Sequence, residues 1–280
     1  MSARPNPSLL PDDLDGARVS GPVRQRYQDV TAEGRLALVS MTTALGELVW
    51  PDALQDPEMV ALAREGVVPI LHRLVLQVGE GPISAVRPLS ARGAWHRAVE
   101  LDASGAAARL VLLMEVALSA RRGLTLAPLD PDAPVLHAGS VFAEHVFTRL
   151  FAPAGARRVL DLRGRTPTAT WQGRRFDAVA PEPPPGAPRH RVPLRFGVMH
   201  TDPNNHVNSL VYPRVFEEAA LTLRGAPDAA CAMEAVWRKP VFVGEAITLD
   251  QWITPEGEVH GAFLDETGAA RCRLTMRFQP

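Results

Sequence analysis

A chain of 280 residues can bury a substantial core, as one large domain or two smaller ones. With 46% hydrophobic residues, 22% charged residues and a net charge near zero, it reads as an ordinary soluble globular protein, without an overall nucleic-acid or membrane signature. The 26 prolines announce many loops, and Cys231 and Cys272, the only cysteines, read as reduced thiols of a cytoplasmic protein.

Residues 1–24 carry Pro5, Pro7, Pro11 and Pro22 among polar and small residues and are expected to form a flexible arm. They lack the apolar segment of a signal peptide, and no later run is long and uncharged enough to cross a membrane. Leu36, Val39, Met41, Leu45, Leu48 and Val49 predict a helix within about 33–50, with a second short helix after Asp56-Pro57, through Ala63. The rhythm then turns to strands: Val67 to Val78, roughly 83–89, Trp95 to Leu101, and Ala106 to Leu118 after the turn Asp102-Ala103-Ser104-Gly105.

A segment from about 121 to 189 belongs to neither half of the pattern. It is predicted to hold a helix from Val141 to Phe151 and to end in the stiff linker Pro181-Glu182-Pro183-Pro184-Pro185. Between 156 and 195, nine arginines stand against Asp161, Asp177 and Glu182. Such a run is either a solvated loop or a docking patch for an anionic partner, such as an acidic carrier protein.

The last third repeats the order of the first. A helix over about 209–223 precedes strands at 232–239, 246–253, 258–264 and 269–278. Leu101-Asp102-Ala103-Ser104-Gly105-Ala106-Ala107 is echoed by Leu264-Asp265-Glu266-Thr267-Gly268-Ala269-Ala270, and Val78-Gly79-Glu80 by Val243-Gly244-Glu245. Two matches in register, each behind a helix, point to an internal repeat.

Directly before the second helix stands Asp202-Pro203-Asn204-Asn205-His206-Val207-Asn208, which gathers a carboxylate, carboxamides and an imidazole into seven residues. Leu210, Val211, Val215, Ala219 and Leu223 follow near one helical face. Polar groups at a helix start lie beside unpaired N–H groups and the positive end of the dipole, where an oxyanion can be held. The plainer reading of Asp202 is a turn or capping acid, and Asn208 is read as the N-cap before Ser209. Of Glu217 and Glu218, one is expected to face solvent and the other is a candidate second acid. His72, His96, His137 and His145 are isolated and read as structural or surface groups. No Cys/His spacing for a metal, no Gly-rich phosphate loop and no Gly-x-Ser-x-Gly motif occurs, and no cofactor is expected.

Taken together, the helix-then-sheet order repeated twice and the combination Asp202, Asn204, His206, Val207, Asn208, Tyr212 and Glu217-Glu218-Ala219 resemble the hot-dog thioesterases. The likeness is closest to the double-hot-dog acyl-acyl-carrier-protein thioesterases, over roughly 27–120 and 190–278. The resemblance implies an α+β tandem (double) hot-dog, each half a long helix wrapped by an antiparallel sheet. A scaffold half would span 25–120, an insertion 121–189, and a half carrying the catalytic motif 190–280. It implies hydrolysis of an acyl-carrier-protein or CoA thioester in fatty-acid metabolism, as a monomer or homodimer, with the carrier docking on the basic 156–195 segment. Asp202, Asn204 and His206 match the family's catalytic positions, and Asn208, Tyr212 and Glu217 are expected to contact substrate. The further glutamate of that family falls at or near Pro240, and proline is neither acid nor base. Hot-dog hydratases and dehydratases offer a second reading, but they space their motif Asp-x-Asn-Pro-x-His, whereas here the histidine comes one residue sooner and the proline precedes the asparagine. A non-catalytic acyl-binding protein is the third reading.

Overall fold

The computed structural model describes residues 17–278 apart from 129, 163, 172–182, 184–185 and 226–229. The chain divides into two compact units, one formed by Met1–Leu71 with Val78–Arg174 and the other by His72–Gln77 with Arg175–Pro280.

In the first unit, β1 (Ala17–Val23), β3 (Leu89–Leu101), β4 (Ala107–Arg121) and β5 (Val135–Arg149) form an antiparallel sheet in the order β1-β3-β4-β5. Strand β2 (Val67–Val78) runs through the boundary between the units. The short β6 (Thr170–Trp171) adds in parallel to β3. Leu110 to Met114 of β4 are fully buried, as expected of a strand covered on both faces. One face receives a helical stretch: a 3-10 turn at Val39–Thr42, a π turn at Leu45–Val49, α1 (Trp50–Ala53) and α2 (Pro57–Arg64). Trp95 Nε1 donates to Asp52 at 2.7 Å, fastening α1 to the sheet. On the other face Trp171 packs on Phe142, ring centroids 5.8 Å apart.

In the second unit, Arg73–Gln77 of β2 pair with β8 (Ala230–Trp237). The sheet continues through β11 (Ala270–Phe278), β10 (Val259–Leu264) and β9 (Ala246–Ile253) to β7 (Arg189–Arg195). Among the described residues one long helix, α3 (Val211–Arg224), lies on it and ends at Gly225, whose φ of 67° is the left-handed conformation a helix C-cap uses. The register fixes which side chains meet α3. Phe263 and Trp237 pack on Tyr212, and Gly261 faces Phe216, where a Cβ would lie 2.9 Å from the phenyl ring. The opposite face is polar yet buried. Its cross-strand row runs from Glu234 through Thr275 and His260 to Trp252, with Arg73 ion-paired to Glu234.

Several expectations are corrected. Residues 17–23 of the expected arm are an edge strand, and Pro22 is tolerated there because an edge position has fewer ladder bonds to make; residues 1–16 lie outside the described residues. The helix expected at Val141 to Phe151 is strand β5, which places much of the expected 121–189 insertion in the first unit's sheet. The expected strand at 83–89 is a turn, with an isolated bridge at Ile83. The helix expected at 33–50 begins only at Val39 and changes pitch within itself. The second helix starts at Val211, and Tyr212, Pro213, Phe216 and Ala220 form its buried side, rotated from the face that Val215, Ala219 and Leu223 mark.

The letter echo at Asp102 and Asp265 is structural. In both turns the aspartate Oδ1 accepts from the N–H groups two and four residues on and from the intervening Ser104 or Thr267 hydroxyl, and Gly105 or Gly268 takes a positive φ. The second echo is not. Gly244 adopts φ 79° in open space, whereas Gly79 packs against the His137 carbonyl, where a Cβ would come to 2.0 Å.

Candidate active site

The motif forms a small closed turn ahead of α3. Asp202 N–H donates to His206 O at 2.9 Å and Asn205 N–H to Asp202 O at 3.0 Å. The Asp202 carboxylate accepts from Asn204 N–H at 2.9 Å, an Asx turn, and Asn205 supplies the left-handed residue at φ 60°. The loop after β8 holds this turn in place. Val207 N–H donates to Val241 O at 2.8 Å, His206 bridges to Phe242 through the backbone, and the two rings lie 5.2 Å apart edge to face. Thus Asp202, Asn204 and His206 share one five-residue turn. Asn204 is exposed, and Asp202 and His206 are half-buried.

Asn208 connects the turn to the helix. Its N–H donates to His200 O at 2.8 Å, its side-chain oxygen accepts from Leu210 N–H at 2.9 Å, and its carbonyl accepts from Val211 N–H at 2.9 Å. It therefore bonds ahead of the helix, and Leu210 holds the N-cap position expected of Asn208. This narrows the oxyanion donors expected at the helix start. The Leu210 and Val211 N–H groups serve Asn208, and Pro213 has none.

Tyr212, expected at the substrate, is 1% exposed and lies among Phe196, Trp237 and Phe263. Burial pushes its hydroxyl pKa up, so it stays a neutral phenol that anchors the first turn of α3 in the core. Glu217 is half-buried beside Phe216. Burial, and then the neighbouring Glu218, raise its carboxyl above the usual range, while Glu218 is exposed. Pro240 is exposed in the loop after β8, and its carbonyl accepts from Arg271 at 2.8 Å. It adjoins Val241, which holds the motif turn. The sequence reading missed Val241 and Phe242, although an apolar triplet after Pro240 marks that loop. Val198, Met199, Phe242 and Val243 flank the turn as exposed apolar side chains.

The described arginines of the basic segment bond within the chain. Arg157 and Arg158 donate to Ala152 O and Ala108 O, and Arg165 pairs with Glu58 and Glu65. Arg189 and Arg191 pair with Asp250, and Arg195 donates to Gly244 O. Among the described residues, no group of three or more His, Cys, Asp or Glu could hold a metal ion, and no helix is long and apolar enough to cross a membrane.

No protein-family model matches the chain, and no curated protein matches it. Solved structures do. An acyl-ACP thioesterase from Bacteroides thetaiotaomicron is 16% identical with TM-score 0.62, over 93% of this chain and 98% of that one. An oleoyl thioesterase (putative) from Lactobacillus plantarum is 14% identical with TM-score 0.66, over 95% and 97%. The 12:0-ACP thioesterase from Umbellularia californica is 12% identical with TM-score 0.65, over 95% and 97%. A MaoC-like dehydratase from Phytophthora capsici is 12% identical with TM-score 0.50, over 95% and 96%. The chain has the double hot-dog fold that the sequence resemblance implied, of class α+β.

Proposed function

We propose that this double hot-dog protein hydrolyses acyl thioesters, with Asp202, Asn204 and His206 as its catalytic residues. The observation that supports the reading is the closed turn ahead of α3, within whose five residues fall a carboxylate, a carboxamide and an imidazole. The exposed Val198, Met199, Phe242 and Val243 beside it suit the apolar part of an acyl substrate.

The chemistry asks for few parts. Water adds to the thioester carbon, the carbon–sulfur bond breaks, and the products are a carboxylic acid and a thiol. Asp202 takes the water proton, or attacks directly and is released by water in a second step. Asn204 donates toward the carbonyl oxygen as negative charge builds on it. His206, held edge-on by Phe242, protonates the departing thiolate.

The test is thiol release from short-, medium- and long-chain acyl-CoA and acyl-carrier-protein thioesters by wild type and Asp202→Asn. An asparagine side-chain oxygen still accepts the Asn204 N–H, so the turn and the melting temperature are retained. Turnover falls by about a hundredfold or more, the usual contribution of a positioned acid–base group. Equal turnover in both proteins refutes the assignment. Hydration of an enoyl thioester without thiol release transfers the site to the hydratase reading, and binding without any turnover to the acyl-binding one.

A further inference from the structure

The face of the second unit's sheet that meets α3 is nearly all apolar. Leu194 and Val192 of β7, Ile247 and Leu249 of β9, Phe263 of β10, Leu274 and Cys272 of β11, and Ala235 of β8 all fall on it by register. Two neighbouring positions break the pattern. Gln251 of β9 is 0% exposed, and it is the direct cross-strand partner of His190 on β7, so their side chains share that face.

Gln251 Nε2 donates to the Phe216 carbonyl of α3 at 2.9 Å. Phe216 O can only accept, so the amide orientation is fixed and Oε1 points away as an acceptor. That oxygen is buried and has no hydrogen-bond partner among the described residues, and neither has the buried Nδ1 of His190. Buried polar atoms are almost always paired, and two orphans on facing positions call for a cause. Gly261, the partner of Gln251 on β10, has no side chain to reach them.

We infer that Gln251 and His190 form a polar subsite, between α3 and the sheet, for a hydroxyl group carried on the acyl chain. A hydroxyl is the group that serves both atoms at once, donating to Gln251 Oε1 and accepting from His190 Nδ1–H. Position along the strand says where on the chain that hydroxyl lies. The motif turn is at the β9 end marked by Phe242 and Gly244, and Gln251 is five residues beyond Ala246, or roughly 16 Å at about 3.3 Å per residue. A β-hydroxyl sits too close to the thioester to reach it. The subsite reads a distal hydroxyl, and this inference rests on the acyl-thioester reading of the site.

The experiment compares kcat/KM for long-chain acyl-CoA of one length in plain, β-hydroxy and ω-hydroxy forms, on wild type, Gln251→Leu and His190→Phe. Wild type prefers the ω-hydroxy over the plain chain by about tenfold or more, because the plain chain leaves both atoms unpaired. Gln251→Leu abolishes or inverts that ratio, His190→Phe reduces it, and the β-hydroxy form behaves as the plain one throughout. The ratio, not the activity, is the readout, so loss of the helix clamp alone does not imitate the result. If Gln251→Leu does not fold, His190→Phe carries the comparison. A wild-type ratio near one, or a ratio that neither substitution moves, overturns the subsite. If wild type hydrolyses no thioester, the hydrolase reading fails separately. Thermal shift with ω-hydroxy and plain free fatty acids then decides the subsite: greater stabilisation by the hydroxy acid supports it, and equal stabilisation overturns it.

Discussion

Asp202 and Asn205 stand in the same relation as Asp102 and Gly105, and as Asp265 and Gly268. In each turn the N–H of the later residue donates to the aspartate carbonyl, at 3.0, 3.0 and 2.9 Å, and the later residue has positive φ. The candidate catalytic turn is thus an ordinary hairpin-type turn with asparagine where the others use glycine. The side chains differ more than the backbone. Asp102 and Asp265 each accept from a hydroxyl two residues on, whereas the corresponding position in the motif is Asn204. In the Asp265 turn these donors hold the carboxyl down to about 2, so it stays a charged turn acid throughout the neutral range.

That backbone geometry sets what position 205 tolerates. Asn205→Gly is expected to leave melting temperature and turnover nearly unchanged, because glycine adopts the left-handed conformation freely. Asn205→Val destabilises by about 1–2 kcal/mol and lowers turnover by displacing Asp202 and His206. Chemical denaturation and thiol-release assays on the two variants check both statements.

His145 gives the first unit an acid-sensitive point. It is fully buried with its ring edge-on to Trp50, centroids 4.9 Å apart, and burial lowers its pKa from 6.5 to about 4 despite a backbone bond at Leu112. The folded state therefore binds fewer protons than the unfolded chain between these values. Stability is fully present above about 6.5 and declines as the pH falls toward 4, by on the order of 3 kcal/mol for this group. Denaturation measured across that window should show the decline, and His145→Leu should flatten it.

The Arg73–Glu234 pair lies buried in the second unit's sheet. Glu234→Ala removes the buried carboxylate that pairs with the guanidinium and costs about 3–5 kcal/mol, while Arg73→Met with Glu234→Leu recovers most of that loss. A double-mutant cycle in denaturant provides the measurement.

Much of this arrangement is legible in the letters. Strand β2 runs from Val67 to Val78 and β9 from Ala246 to Ile253, both as their apolar runs and flanking turns indicate. The motif turn and its Asx bond follow from Asp-Pro-Asn-Asn. Val141 to Phe151 misleads because its apolar residues fit a helical as well as an alternating period, and because β5, at 15 residues, exceeds the usual strand length. The first helix misleads in pitch rather than presence. Tyr212 matches a family motif, but its role emerges only when Phe196, Trp237 and Phe263, distant in sequence, close around it. The orphan atoms of Gln251 and His190 depend on the β7–β9 register, which no local pattern encodes.

Gly261 leaves the phenyl ring of Phe216 the space that a side chain would occupy on β10; a methyl group there would also meet Asp250 O at 2.6 Å. Helix and strand thus share one volume between two positions. Because the Asp250 oxygen belongs to the backbone, trimming Phe216 does not make room for a side chain at 261, and Gly261→Ala is expected to loosen the helix-to-sheet packing whatever residue stands at 216.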